Sequence, residues 1–133
     1  MEIIDEAFGN MTFDYGWTKK DKLNIFNKTY EISCIASAYT GKGIDDIQRE
    51  MYTNYRNDST DTLEKVESAI IDHVKNNGIK YNDGIENHLR PTEFVFQKNG
   101  KAGIIFECDW DVESGLVVLI YPEITIDIPD NFL

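Results

Sequence analysis

The chain has 133 residues, a length that suits one domain burying roughly two-thirds of its unfolded surface without staples. It carries 24 acidic and 13 basic side chains, a formal net charge of -11. Such a surface repels phosphate backbones and anionic lipid, which weighs against nucleic-acid and membrane partners; it serves solubility with no partner at all, or attracts basic proteins over about 10 Å.

Residues 2–38 alternate as strands do. Ile3-Ile4 and Ala7-Phe8 lead into Gly9-Asn10, a tight-turn dipeptide, and Met11-Thr12-Phe13-Asp14-Tyr15 resumes with apolar positions two apart, which predicts a hairpin. Gly16-Trp17 breaks it, Leu23-Asn24-Ile25 alternates again, and Asn27-Lys28 turns into the longer run Tyr30 to Ala36. Tyr30, Ile32, Cys34 and Ala36 share one face of that run, the pattern of an antiparallel sheet covered on one side.

After Gly41-Lys42-Gly43 the hydrophobic period lengthens to that of a helix. Ile44, Ile47, Met51 and Tyr55 fall on one face, with Asp45 and Gln48 spaced as a capping box. A second helix is predicted with Asp61 as its cap, Glu64 at the reciprocal position, a stripe of Leu63, Val66, Ile70 and Val74, and a stop at Asn77-Gly78. Tyr81 to Arg90 reads as a polar surface loop with a turn at Asn82-Asp83-Gly84.

The sheet resumes from Thr92. Glu93 to Gln97 and Gly103 to Asp109 flank the hairpin signal Asn99-Gly100, a long central hairpin closes on Ser114-Gly115, and Ile124 to Ile128 ends the sheet before Pro129. Residues 1–133 thus form a single α+β domain of about eight strands in a mainly antiparallel twisted sheet. Two central amphipathic helices pack on one side, in the order ββββ-αα-ββββ.

Two cysteines, Cys34 and Cys108, lie within apolar strand-like runs, and no basic stretch followed by a long apolar one opens the chain. Both features suit a cytoplasmic protein with reduced, structural thiols, which would lie close together if their strands are neighbours. No apolar run approaches the roughly 18 residues of a membrane span.

Asp109, Asp111 and Glu113 recur every second residue, so on a continuing strand their carboxylates project from one face, with Glu107 behind them. Three such groups suit a hard divalent cation or a general acid, although the spacing fits no Ca²⁺-binding loop. The plainer explanation is an acidic strand end whose carboxylates accept hydrogen bonds from turn amides. The two histidines, His73 and His88, read as surface residues. A Cys108–His88 nucleophile pair is disfavoured by the acidic neighbours of the thiol, no serine elbow is present, and no cofactor is implied. Tyr15, Trp17, Tyr39, Tyr52, Tyr55 and Tyr81 sit at turns or helix faces, and of these Trp17, Tyr52 and Tyr55 join the acidic triplet as candidate binding residues.

Phe8-Gly9, the Gln48 helix with a second helix after it, and Cys108-Asp109-Trp110-Asp111-x-Glu113-x-Gly115-Leu116 opening Val117-Val118-Leu119 resemble a widespread group of small bacterial domains of unknown function. That group has a Trp-Asp-x-Glu-x-Gly-Leu signature. A histidine often stands in it at the place of Ser114, so a role resting on that histidine does not carry over. The resemblance implies a bacterial α+β domain and no established activity.

Two function classes follow. One is a non-catalytic acidic module that binds a basic protein, such as an immunity protein neutralising a cationic toxin. The other is a divalent-metal-binding domain or metal-dependent hydrolase using Asp109, Asp111 and Glu113.

Overall fold

A computed structural model describes residues 1–81 and 83–133. Four strands come first: β1 (Glu2–Asp5), β2 (Gly9–Phe13), β3 (Trp17–Ile25) and β4 (Lys28–Ala36). Helices α1 (Asp46–Asn57) and α2 (Ser59–Asn76) follow, then a short 3₁₀ turn over Ile85–Asn87. Strands β5 (Leu89–Phe96), β6 (Ala102–Cys108), β7 (Leu116–Tyr121) and β8 (Thr125–Asp127) precede a terminal turn of helix, α3 (Pro129–Phe132). All eight strands join one sheet in sequence order. Every neighbouring pair is antiparallel except β4–β5, the pair joined through the two helices, which is parallel. The expected α+β architecture and element order are those observed.

The helices cover one face. Ile32, Cys34 and Ala36 of β4 point into it, as do Phe94 and Phe96 of β5 and Ile104 and Phe106 of β6, all buried. Tyr55 of α1 meets Phe94 edge-on at 4.6 Å, and Tyr52 stacks on Phe8 at 4.3 Å. The opposite face is less bare than one-sided alternation predicts. Phe132 of α3 lies in a small cluster with Val95 and Val117, and its carbonyl accepts a hydrogen bond from Gln97 Nε2 at 2.6 Å.

Several boundaries differ from the sequence reading. The first turn is Glu6-Ala7-Phe8, not Gly9-Asn10, because the Asp5 carboxylate accepts from the amides of Ala7 and Phe8 and closes the turn early. On α1 the inward stripe is Gln48, Met51, Tyr52 and Tyr55, while Ile47 is exposed. Gln48 donates from Nε2 to the carbonyls of Ser37 (2.9 Å) and Phe96 (2.8 Å) and accepts from the Asp45 amide (2.8 Å), so hydrogen bonding draws a polar residue inward.

Only Asp58 separates the helices, and it, not Asp61, precedes α2. The α2 stop is as expected, since Ile79 N donates to Val74 O across Gly78, the bond of a Schellman motif. Strand β5 starts at Leu89, three residues before the expected start. Pro91 is tolerated there because it stands at a bulge, next to the unpaired Thr92, and before Glu93, where pairing with β4 begins. The expected turn at Asn82-Asp83-Gly84 includes Asn82, which lies outside the described residues. Among the described residues no helix is long and apolar enough to cross a membrane.

Candidate functional site

The acidic triplet does not continue a strand. Strand β6 ends at Cys108 and β7 begins at Leu116, so Asp109 to Gly115 form a loop and the two-residue period that would align three carboxylates is lost. Asp111 turns inward on its own loop. Its carbonyl accepts from Gly115 N at 2.9 Å, and its Oδ1 accepts from Ser114 N at 3.2 Å. Glu113 is exposed, as is Val112 at the tip, with 82 % of its surface free. Among the described residues no group of three His, Cys, Asp or Glu side chains that could hold a metal ion is present.

Asp109 faces the other way and meets a residue that the sequence reading left on the surface. His88 Nδ1 lies 2.6 Å from Asp109 Oδ2, and His88 Nε2 lies 2.6 Å from Asp83 Oδ1. Both contacts need a proton on nitrogen, so the imidazolium satisfies both at once. The hydrogen bonds to Asp109 and then to Asp83 hold the His88 pKa above its ordinary value of 6.5. The backbone repeats the link, since Asp109 N donates to His88 O at 2.9 Å. A signal for this pairing was present in the strand register. Leu89 pairs with Cys108, so the next step outward sets His88 beside Asp109.

These groups open on a shallow cleft of about 500 Å³ lined by His88, Arg90, Glu107, Cys108, Asp109 and Val112, among others. Arg90 and Glu107, both in its lining, form an exposed pair at 2.9 Å. Cys108 is not set up as a nucleophile. Burial pushes its thiol pKa up, the thiol sits 3.9 Å from the Asp111 carbonyl, and both His88 nitrogens are already engaged by carboxylates. Cys34 is buried as well, its thiol pushed up to about 12 chiefly by desolvation. The two thiols are free, and β5 runs between their strands.

The six aromatic residues singled out from the sequence divide in two. Tyr15 and Tyr39 are exposed, and Tyr81 is partly so, its ring 5.8 Å from that of His88. Trp17, Tyr52 and Tyr55, the three expected at a binding surface, are buried, although Tyr52 and Tyr55 each line a surface cleft. Trp17 opens β3 on the covered face and donates from Nε1 to Lys42 O at 2.9 Å, while Tyr52 and Tyr55 follow Gln48 and Met51 on the inner side of α1.

A family model described as a domain of unknown function (DUF6985) matches residues 7–128, nearly the whole chain. The chain belongs to this family. No curated protein and no solved structure matches it. In this DUF6985 domain the matched span takes in β2 through β8, both long helices, and the entire β6–β7 loop with its His88 brace.

Proposed function

We propose that this DUF6985 domain is a non-catalytic acidic module that binds a basic protein in the bacterial cytoplasm, as an immunity protein does when it masks a cationic toxin. The observation that carries the reading is the β6–β7 loop, which holds the exposed Val112 between Asp111 and Glu113 and beside the exposed Asp109 and Glu107. An apolar tip next to the exposed Glu113 carboxylate, with Asp109 and Glu107 behind it already paired to His88 and Arg90, suits a partner surface with an apolar pocket and a few Lys or Arg at its rim. The loop is ordered before any partner arrives. His88, the Gly115 and Ser114 amides, and the Cys108 thiol all hold it from within, so little conformational entropy is lost on binding. The net charge of -11 adds long-range steering that speeds encounter with a cation-rich surface.

The test is affinity capture from lysate of the source organism with the wild-type chain and a Val112→Asp, Glu113→Gln variant in parallel, each washed with increasing salt. One stoichiometric basic protein, released by salt and not retained by the variant, supports the reading. Empty captures, or the same protein held equally by both chains, overturn it.

A further inference from the structure

A second cleft, of about 390 Å³, lies between the β1–β2 turn and α1 and is lined by Phe8, Lys19, Tyr52 and Arg56 among others. It sets two cations, Lys19 and Arg56, beside two carboxylates, Asp5 and Glu6, that turn to Arg49 instead. Lys19 extends from the covered face of β3, opposite Cys34 in the register, with only 20 % of its side chain exposed. Its Nζ donates to Phe8 O at 2.8 Å and to Tyr52 Oη at 2.6 Å, and the same phenol oxygen accepts from an Arg56 guanidinium nitrogen at 3.0 Å. Both cations also lie over the Tyr52 ring, Lys19 Nζ 4.7 Å and Arg56 Cζ 5.7 Å from its centroid.

Two cations thus converge on one oxygen with little to neutralise them. Among the described residues Arg56 has no carboxylate within 4.0 Å, and Lys19 has only Asp21 at 3.9 Å, beyond hydrogen-bonding reach. Acidic partners are abundant in this chain, and Arg49 alone contacts Asp5, Glu6 and Asp46. Asp5 lines the same cleft, but its oxygens already accept from Arg49, Ala7 and Phe8, and Glu6 sits at the exposed rim 3.8 Å from Arg49. Asp21 is a counter-charge to both cations, 3.9 Å from Lys19 and acting through space on Arg56, but it hydrogen-bonds to neither, so an anion that does is favoured.

We infer that Lys19, Tyr52 and Arg56 form a binding site for a phosphate group. The three donors come from different directions, an ammonium from a strand and a phenol and a guanidinium from successive turns of α1. A tetrahedral oxyanion offers each of them its own acceptor oxygen, whereas a carboxylate has two, in one plane. Tyr52 accepts two hydrogen bonds and keeps its own hydroxyl hydrogen, for which the described residues supply no acceptor. The cation side chains are already held in place on Tyr52, which lowers the ordering cost of binding. The negative charge of the whole domain opposes anion entry and weakens binding, more so at low salt.

The experiment is a titration of the ¹⁵N-labelled chain with inorganic phosphate and, separately, glycerol phosphate, at constant ionic strength in sodium chloride. Saturable shifts are expected at the amides of Phe8, Lys19, Tyr52 and Arg56. Arg56→Gln, at an exposed position, and Tyr52→Phe, which keeps the ring, should each fold. Loss of a charge-assisted hydrogen bond in Arg56→Gln should raise the midpoint at least about tenfold. Tighter binding of the ester marks a phosphate monoester as the occupant, and tighter binding of the free ion marks inorganic phosphate; either supports the site. Absence of saturable shifts at those amides with both probes, or a smaller change in Arg56→Gln, overturns it.

Discussion

His88 and Asp109 are joined twice, by the side-chain contact of 2.6 Å and by the amide of Asp109 donating to the carbonyl of His88 at 2.9 Å. The pair ties the segment leading into β5 to the start of the β6–β7 loop, and Asp83 closes it from the far side of the ring. Arg90, Glu107 and Cys108 also line this cleft, Asp111 lies beside Cys108, and the Tyr81 ring is 5.8 Å from that of His88.

The brace is a pH-dependent one. A histidine whose folded pKa is raised contributes stability that is fully present below the unfolded value of about 6.5 and is lost as pH rises through the folded value. Melting temperatures of the wild type should therefore fall from pH 6.5 upward, and His88→Gln should flatten that slope. Asp109→Asn should lower the imidazole pKa in an NMR titration. An unchanged imidazole titration in Asp109→Asn would show that the contact does not control the ring.

Gln48 ties three backbone segments together with 0 % of its surface exposed. Gln48→Met keeps the shape but leaves the Asp45 amide and the Ser37 carbonyl without their partner, at a cost of about 2–4 kcal/mol in urea unfolding. Gln48→Glu should be worse at neutral pH, because a carboxylate would face the carbonyl oxygens of Ser37 and Phe96. Its deficit should narrow as pH falls and the acid regains a donor. The reverse order, Glu above Met at neutral pH, would mean that the helix N-terminus governs this position instead.

Asp5 is a buried carboxylate whose environment pulls two ways. Burial raises its pKa, but hydrogen bonds from Phe8, Ala7 and Arg49 outweigh burial and leave it below the usual 3.8. A depressed carboxylate stabilises the fold above its unfolded pKa, and that stability is lost as pH falls through the folded value. Asp5→Ala should cost about 3 kcal/mol at neutral pH, since two turn amides lose their acceptor. Acid unfolding below pH 3.8 should then be less steep in the variant than in the wild type.

The strands and helices were legible because their signals are local. The two-residue period of Tyr30 to Ala36 and the stripe of Leu63, Val66, Ile70 and Val74 each arise within one element, and both faces lie as expected. The candidate sites were less legible because they depend on contacts distant in sequence. Nothing near Lys19 in the chain announces Tyr52, 33 residues away, and Gln48 faces inward because of a carbonyl 48 residues further on. Asp109, Asp111 and Glu113 are a mixed case: the one-faced carboxylate strand is not formed, whereas the plainer reading holds for Asp111, which accepts from the turn amide of Ser114. Their spacing copies a strand, but β6 ends at Cys108, and the loop closes only at Gly115, whose φ of 69° turns the chain back into β7.

Gly115 therefore carries a prediction of its own, best made against Gly78. Both have positive φ, 69° and 64°, so an alanine at either position pays the left-handed backbone penalty, about 1 kcal/mol. They differ in space. A Cβ at Gly78 meets nothing within 4 Å, whereas at Gly115 it would stand 2.8 Å from the carbonyl oxygen of Phe106, a backbone atom fixed in the β6 ladder. Gly115→Ala should thus cost about 3 kcal/mol in thermal or urea unfolding, and Gly78→Ala about 1 kcal/mol. Equal costs would mean that the β6–β7 loop yields without resistance, and a yielding loop would not hold Val112 and its flanking carboxylates ready for a partner.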